Sequence, residues 1–179
     1  HHLSIALNLK GLDYEYIAVH LGKEAHLSAA YKTLNPQGLV PTLVDGEQVL
    51  TQTPAIIEWL EERYPTPPLL PSSPEDRARV RALAALVGCD IHPLNNRRIL
   101  EYLRKTLGCD DAAVNAWCAT WINAGFEALE ALLAEDRQRG NFCFSNTPTL
   151  ADVYLVPQVE SARRFKVDLT PYPQIQGVD

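Results

Sequence analysis

Leu3, Ala6, Leu7 and Leu9 recur at the spacing of one helix face, and Gly11 stands where a helix closes in the left-handed conformation. The spacing predicts a helix ending near residue 10. From Tyr14 to Val19 the residues alternate and are rich in aromatic and β-branched side chains, as in a strand, and Ser28 to Leu34 reads as a short helix or turn before Asn35-Pro36. Val40-Pro41-Thr42-Leu43-Val44 and Gln48-Val49-Leu50 flank Asp45-Gly46, which predicts a β-hairpin. Thr53 is placed as the N-cap of the next helix, with Pro54 in its first turn and Ile56, Ile57, Trp59 and Leu60 as its apolar face.

Pro65, Pro67, Pro68, Pro71 and Pro74 then remove donors and fix φ, so no helix or central strand crosses that stretch. We divide the chain into residues 1–66, a proline-rich linker at 67–74, and residues 75–179. Beyond the linker the period is helical throughout. Val80, Leu83, Ala84, Val87 and Ile91 form one stripe, and Trp117, Trp121, Phe126, Leu129 and Leu132 form another across Ala112 to Ala134; both read as core. Thr149-Leu150-Ala151-Asp152 is a capping box that opens a helix to about Arg164. This part of the chain is expected to be all-α.

Composition narrows the function classes. The 179 residues are 46% hydrophobic, enough for a proper core without staples. Sixteen Lys and Arg against twenty-two Asp and Glu give a net charge of −6, which disfavours a broad nucleic-acid or anionic-membrane surface, so an anion site must be local. No stretch reaches the roughly 20 apolar residues of a membrane span. Cys89, Cys109, Cys118 and Cys143 are scattered, with no C-x-x-C pair and no zinc-ligand spacing, so they read as reduced thiols of a cytoplasmic protein without a metal.

Four places can carry chemistry. Val40-Pro41 at a strand start leaves an exposed edge for a peptide-like ligand, although the pair alone reads equally as an ordinary strand-opening proline. Gln52-Thr53 at a helix N-terminus offers donors to a carboxylate, or is merely a cap. Cys89 to Arg98 is the densest polar run, read as one helix on which His92 and Asn96 share a face. Pro93 within that helix costs roughly 3 kcal/mol unless the helix bends there or uses the site; the alternative is a solvated face with a kink. Arg163-Arg164 either complements a helix C-terminus or clamps a substrate carboxylate.

Taken together, Val40-Pro41 before a D-G hairpin, Gln52-Thr53 opening a helix with Ile56 to Leu60, the proline linker and the helical remainder resemble the glutathione transferase superfamily. Ile5 to Gly11, Gly88 to Pro93, Thr149 to Gln158 and Arg164 to Pro173 are similar to its zeta class. Val19 to Glu24 and Asn95 to Lys105 are similar to the bacterial glutathione-dependent isomerases within that class. The resemblance implies an α/β thioredoxin-like first domain, an all-α second domain and a cytoplasmic homodimer. It also implies that a first strand and a loop bearing a thiol-activating Ser or Cys precede His1, and that the chain continues past Asp179. His2 and Ser4 stand where the family usually has arginines.

Carried over residue by residue, the resemblance assigns glutathione contacts to His26, Val40, cis-Pro41, Gln52 and Thr53. It sets Asp90, His92, Asn96, Arg97 and Arg98 along the cleft or toward a partner subunit's ligand, and Arg164 over the substrate. The implied reaction is isomerisation of a small anionic maleyl keto-acid, maleylpyruvate to fumarylpyruvate, by addition of the glutathione thiolate, rotation and elimination. A free thiol with a pKa of about 8.5 is little ionised at neutral pH, so the protein must stabilise the thiolate. Maleylacetoacetate is the alternative substrate. Conjugation or dehalogenation of small α-halo acids is the alternative reaction, and a binding or scaffolding module is the non-enzymatic one.

Overall fold

Buried apolar pairs and a few special backbone positions set the elements of the first unit in the computed structural model, which describes residues 1–137 and 139–178. The chain divides into a unit at His1–Pro68 and a second beginning at Leu69. In the first, helix α1 (His2–Leu9) lays Leu3 and Leu7 against Ile56 and Leu60 of α3 (Thr53–Arg63), and Leu43 and Leu50 of the hairpin join this cluster. Strands β1 (Thr42–Asp45) and β2 (Gln48–Thr51) pair antiparallel, Leu43 opposite Leu50 and Val44 opposite Val49. The two-residue period turns the leucines to the core and leaves Val44 and Val49 exposed. The loop between them is Gly46-Glu47, and Gly46 adopts the positive φ (58°) that a hairpin turn of the II′ kind requires. Helix α2 (Ala29–Leu34) is capped by Ser28, whose hydroxyl accepts from Tyr31 N–H.

Two expectations are corrected in this unit. Tyr14 to Val19 does not form a strand: among the described residues the only sheet is β1–β2, and Tyr16 and Ile17 are largely exposed. Alternation supplies the side chains of a strand, whereas a strand exists through a hydrogen-bonded partner. The N-cap of α3 is Gln52 rather than Thr53, because Thr53 already has helical backbone and Pro54 follows within the first turn.

The second unit is helical. Helix α4 (Pro74–Ala85) is capped by Ser73, α5 (Arg97–Lys105) by Asn96 and α6 (Asp111–Glu135) by Asp110; α7 (Leu150–Arg164) and α8 (Pro173–Gln176) follow. Val80, Val87, Ile91, Ile122, Phe126 and Val159 are fully buried in its core. The capping box at Thr149 is formed as expected: Asp152 accepts from Thr149 N–H at 2.7 Å and from its hydroxyl at 2.8 Å. The second Asp152 oxygen accepts Cys143 N–H at 2.8 Å, tying the preceding loop to the helix start. All four cysteines are free. Burial, ahead of the Asp152 charge, pushes the Cys143 thiol far above its ordinary range, and burial also raises Cys118.

Here too the sequence reading needs correction. The polar run is not one helix. After Ala85 the backbone widens into a π turn (Leu86–Ile91) and then tightens into a 3-10 turn (His92–Asn95), which places Pro93 in a first turn where its missing N–H costs nothing. Gly88 and Gly125 permit the π turn its neighbours. A Cβ on Gly88 would lie 2.8 Å from Tyr154 Cε1, and one on Gly125 2.3 Å from Ile91 Cδ1. Trp121 and Leu132, expected in the core, remain substantially exposed, while Trp117 donates its indole N–H to Leu94 O.

Candidate functional site

In the first unit the hairpin register brings four of the candidate residues to one place. Thr42 opposite Thr51 sets Val40-Pro41 alongside Gln52-Thr53. The Val40–Pro41 bond is cis, and Val40 is exposed, its backbone N–H and C=O outside every backbone hydrogen bond among the described residues. That is an unpaired stretch of backbone leading into β1, of the kind a ligand's peptide backbone can join. Gln52 holds φ at 70°, a conformation costing about 1–3 kcal/mol in a non-glycine residue. Its side chain does not cap α3. It donates instead to the Gln37 amide oxygen, so the first turn of an eleven-residue helix keeps its N–H groups and positive dipole end for an anion. His26 lies near the same loop: its carbonyl would sit 3.1 Å from a Cβ on Gly38, and its Nδ1 is buried without a partner among the described residues.

Sequence reasoning missed the residues that hold this edge. Tyr31 and Asn35 both donate to the Leu39 carbonyl, and Asn35 accepts from Gln37 N–H. No periodicity marks them, since each acts across a turn by side chain alone. The sequence also gave no sign that Lys10, at the end of α1, has a wholly buried ammonium. It meets Glu61 Oε2 at 2.7 Å and donates to Tyr64 O at 2.7 Å and Pro67 O at 3.0 Å.

In the second unit the run splits by function of the backbone. Asp90 is exposed on the π turn, and His92 begins the 3-10 turn, with an imidazole that desolvation, the larger cause, holds below its ordinary value. Asn96 does not share a helix face with His92. Its backbone is extended, and its side chain accepts Arg98 N–H at the start of α5. Arg97 pairs with Glu101 at 2.7 Å and Arg163 pairs with Glu160. Arg98 and Arg164 have no ion pair among the described residues, and both are exposed; the Arg164 guanidinium lies 5.3 Å from the Phe165 ring centre. Two planar cations are thus available to carboxylates. Among the described residues no group of three or more His, Cys, Asp and Glu could hold a metal, and no helix is long and apolar enough to cross a membrane.

Two family models match the chain, "Glutathione S-transferase, N-terminal domain" over residues 2–68 and "Glutathione S-transferase, C-terminal domain" over residues 111–177. A maleylpyruvate isomerase from a Ralstonia species is 73% identical over 179 residues, which are all of this chain and 84% of that one. A maleylacetoacetate isomerase from Pseudomonas aeruginosa is 51% identical over 97% of this chain and 81% of its own. Among solved structures, the holo form of a maleyl pyruvate isomerase, described as a bacterial glutathione S-transferase in the zeta class, superposes with a TM-score of 0.98 at 73% identity, covering 99% of this chain and 84% of that chain. A maleylacetoacetate isomerase from Anaeromyxobacter dehalogenans with glutathione in its active site gives 0.86 at 42% identity, over 99% and 82% of the two chains.

Proposed function

Because the chain belongs to the zeta class of the glutathione S-transferase family, we propose that it is a glutathione-dependent cis–trans isomerase converting maleylpyruvate into fumarylpyruvate. The observation that carries this reading is the 73% identity, along the whole chain, to a maleylpyruvate isomerase. The first unit fits the cofactor on its own terms: an unpaired Val40 backbone suits a tripeptide, and the uncapped α3 suits its carboxylate. Bound glutathione supplies the thiolate that adds to the maleyl double bond, allows rotation about the single bond so made, and leaves unconsumed.

In this reading Val40, beside cis-Pro41, pairs its N–H and C=O with the cysteinyl backbone. Gln52, Thr53 and the first turn of α3 hold the γ-glutamyl carboxylate, and His26 serves the glycyl end. Arg164 and Arg98, whose guanidinium groups carry no ion pair among the described residues, neutralise the substrate's carboxylates and the charge that develops next to its ketone. Asp90 and His92 line the substrate side. Asn96 and Arg97 are engaged in capping and pairing, and their part is to set the start of α5 that presents Arg98. The protein acts as a homodimer, for which sedimentation should return twice the chain mass.

Maleylacetoacetate is the second reading of the substrate, favoured by the 51% identity to an isomerase of that name. Parallel assays with the two keto-acids, each with and without glutathione, decide between them. Faster glutathione-dependent turnover of maleylpyruvate is the expected result. Preference for maleylacetoacetate moves the assignment to that substrate, and glutathione-independent or absent turnover of both overturns the isomerase reading.

A further inference from the structure

Resting on the assignment of Val40 to glutathione, we propose that the Tyr31 hydroxyl is a positioning group for that cofactor. It closes a ring of side-chain hydrogen bonds that grips the chain on both sides of the Val40–Pro41 bond.

The ring is fixed by counting protons. Tyr31 Oη lies 2.7 Å from Leu39 O and 2.8 Å from Thr42 Oγ1. A carbonyl only accepts, so the single phenolic proton goes to Leu39 O, and the Thr42 hydroxyl must donate to Tyr31 Oη. Asn35 Nδ2 has two protons. One goes to Leu39 O at 2.7 Å, and the other reaches Thr42 Oγ1 at 3.4 Å. Asn35 Oδ1 accepts Gln37 N–H at 3.1 Å, and Gln37 in turn receives the Gln52 amide. Leu39 and Thr42 bracket the two residues of the ligand edge, and the Val40 backbone itself enters no backbone hydrogen bond among the described residues that would hold it.

An edge that meets a ligand by its backbone must be held from its flanks, because every bond Val40 made to the protein would be one fewer for the ligand. Ordering the edge beforehand lowers the cost of binding. Tyr31 itself is only half-buried and ends outside the core cluster of this unit, so its hydroxyl is placed to act on the loop more than on the fold.

The test is Tyr31→Phe, which keeps the ring and deletes one donor, measured by calorimetric titration with glutathione, by steady-state kinetics and by thermal unfolding. The expected result is a glutathione Kd and KM raised about threefold to tenfold, the effect of one or two neutral hydrogen bonds, with kcat at saturating glutathione and the melting temperature near wild type. Thr42→Val should reproduce the effect and Thr42→Ser, which keeps the hydroxyl, should not; this pair also reads the ring if Tyr31→Phe fails to fold. An unchanged Kd in Tyr31→Phe or Thr42→Val overturns the inference, as does a lowered melting temperature with unchanged Kd. Wild-type protein that binds no glutathione refutes the cofactor assignment instead, a separate failure seen before any variant is made.

Discussion

Twin arginines occur twice in the second unit, and in each pair one is tied to a glutamate while its neighbour has no ion pair among the described residues. Arg164→Ala is therefore expected to raise the keto-acid KM about tenfold to a hundredfold, the range for a lost charged hydrogen bond, and to lower turnover while glutathione titrations stay unchanged. Arg163→Ala, which removes an exposed pair, should leave KM where it is. Unchanged kinetics in Arg164→Ala would remove that residue from the substrate site. Lys10 is the opposite case, a charge that works by burial. Its ammonium has three acceptors, one of them Glu61, and the other two lie 54 and 57 residues along the chain. Lys10→Met leaves Glu61 buried beside an apolar group and is expected to cost about 3–5 kcal/mol, measured as a lower urea midpoint with unchanged slope. The burial of Lys10 was not legible beforehand, because partners more than fifty residues away decide whether a lysine at a helix end is solvated or enclosed.

At the scale of elements, local signals read well where they depended on neighbours in sequence. Gly11 after α1, Gly46 in the hairpin, and Thr149 with Asp152 at α7 each act within four residues, and all three are found as read. The Tyr14 to Val19 segment failed because pairing is not a local property. The stretch from Leu86 to Asn95 failed for a different reason: apolar spacing at Val80, Leu83, Val87 and Ile91 continues smoothly through a change from α to π winding. Its cause lies in what packs on it. Gly88→Ala pushes a methyl into the Tyr154 ring and is expected to destabilise by about 1–3 kcal/mol, the usual range for overpacking, despite alanine's better helix propensity. Thermal unfolding of Gly88→Ala beside Gly88→Ala/Tyr154→Leu checks it: the second change should recover part of the loss, and equal stability of Gly88→Ala and wild type would show that the ring yields freely.

For the whole molecule, the two units divide the chemistry. One presents an open peptide edge and an uncapped helix start, and the other presents two guanidinium groups, of Arg98 and Arg164, without a carboxylate partner among the described residues. Val40-Pro41, Gln52-Thr53 and Arg164 stood out in the sequence as candidates for these places. Tyr31, Asn35, Gln37 and Lys10 did not, since each acts through its side chain on a distant or turned-back part of the chain. The central claim is that glutathione is borrowed and returned. It is tested most directly by supplying maleylpyruvate in large excess over glutathione and titrating free thiol as fumarylpyruvate accumulates. The account expects complete conversion with the thiol titre constant; loss of one thiol for each product formed would contradict it and assign the protein to conjugation.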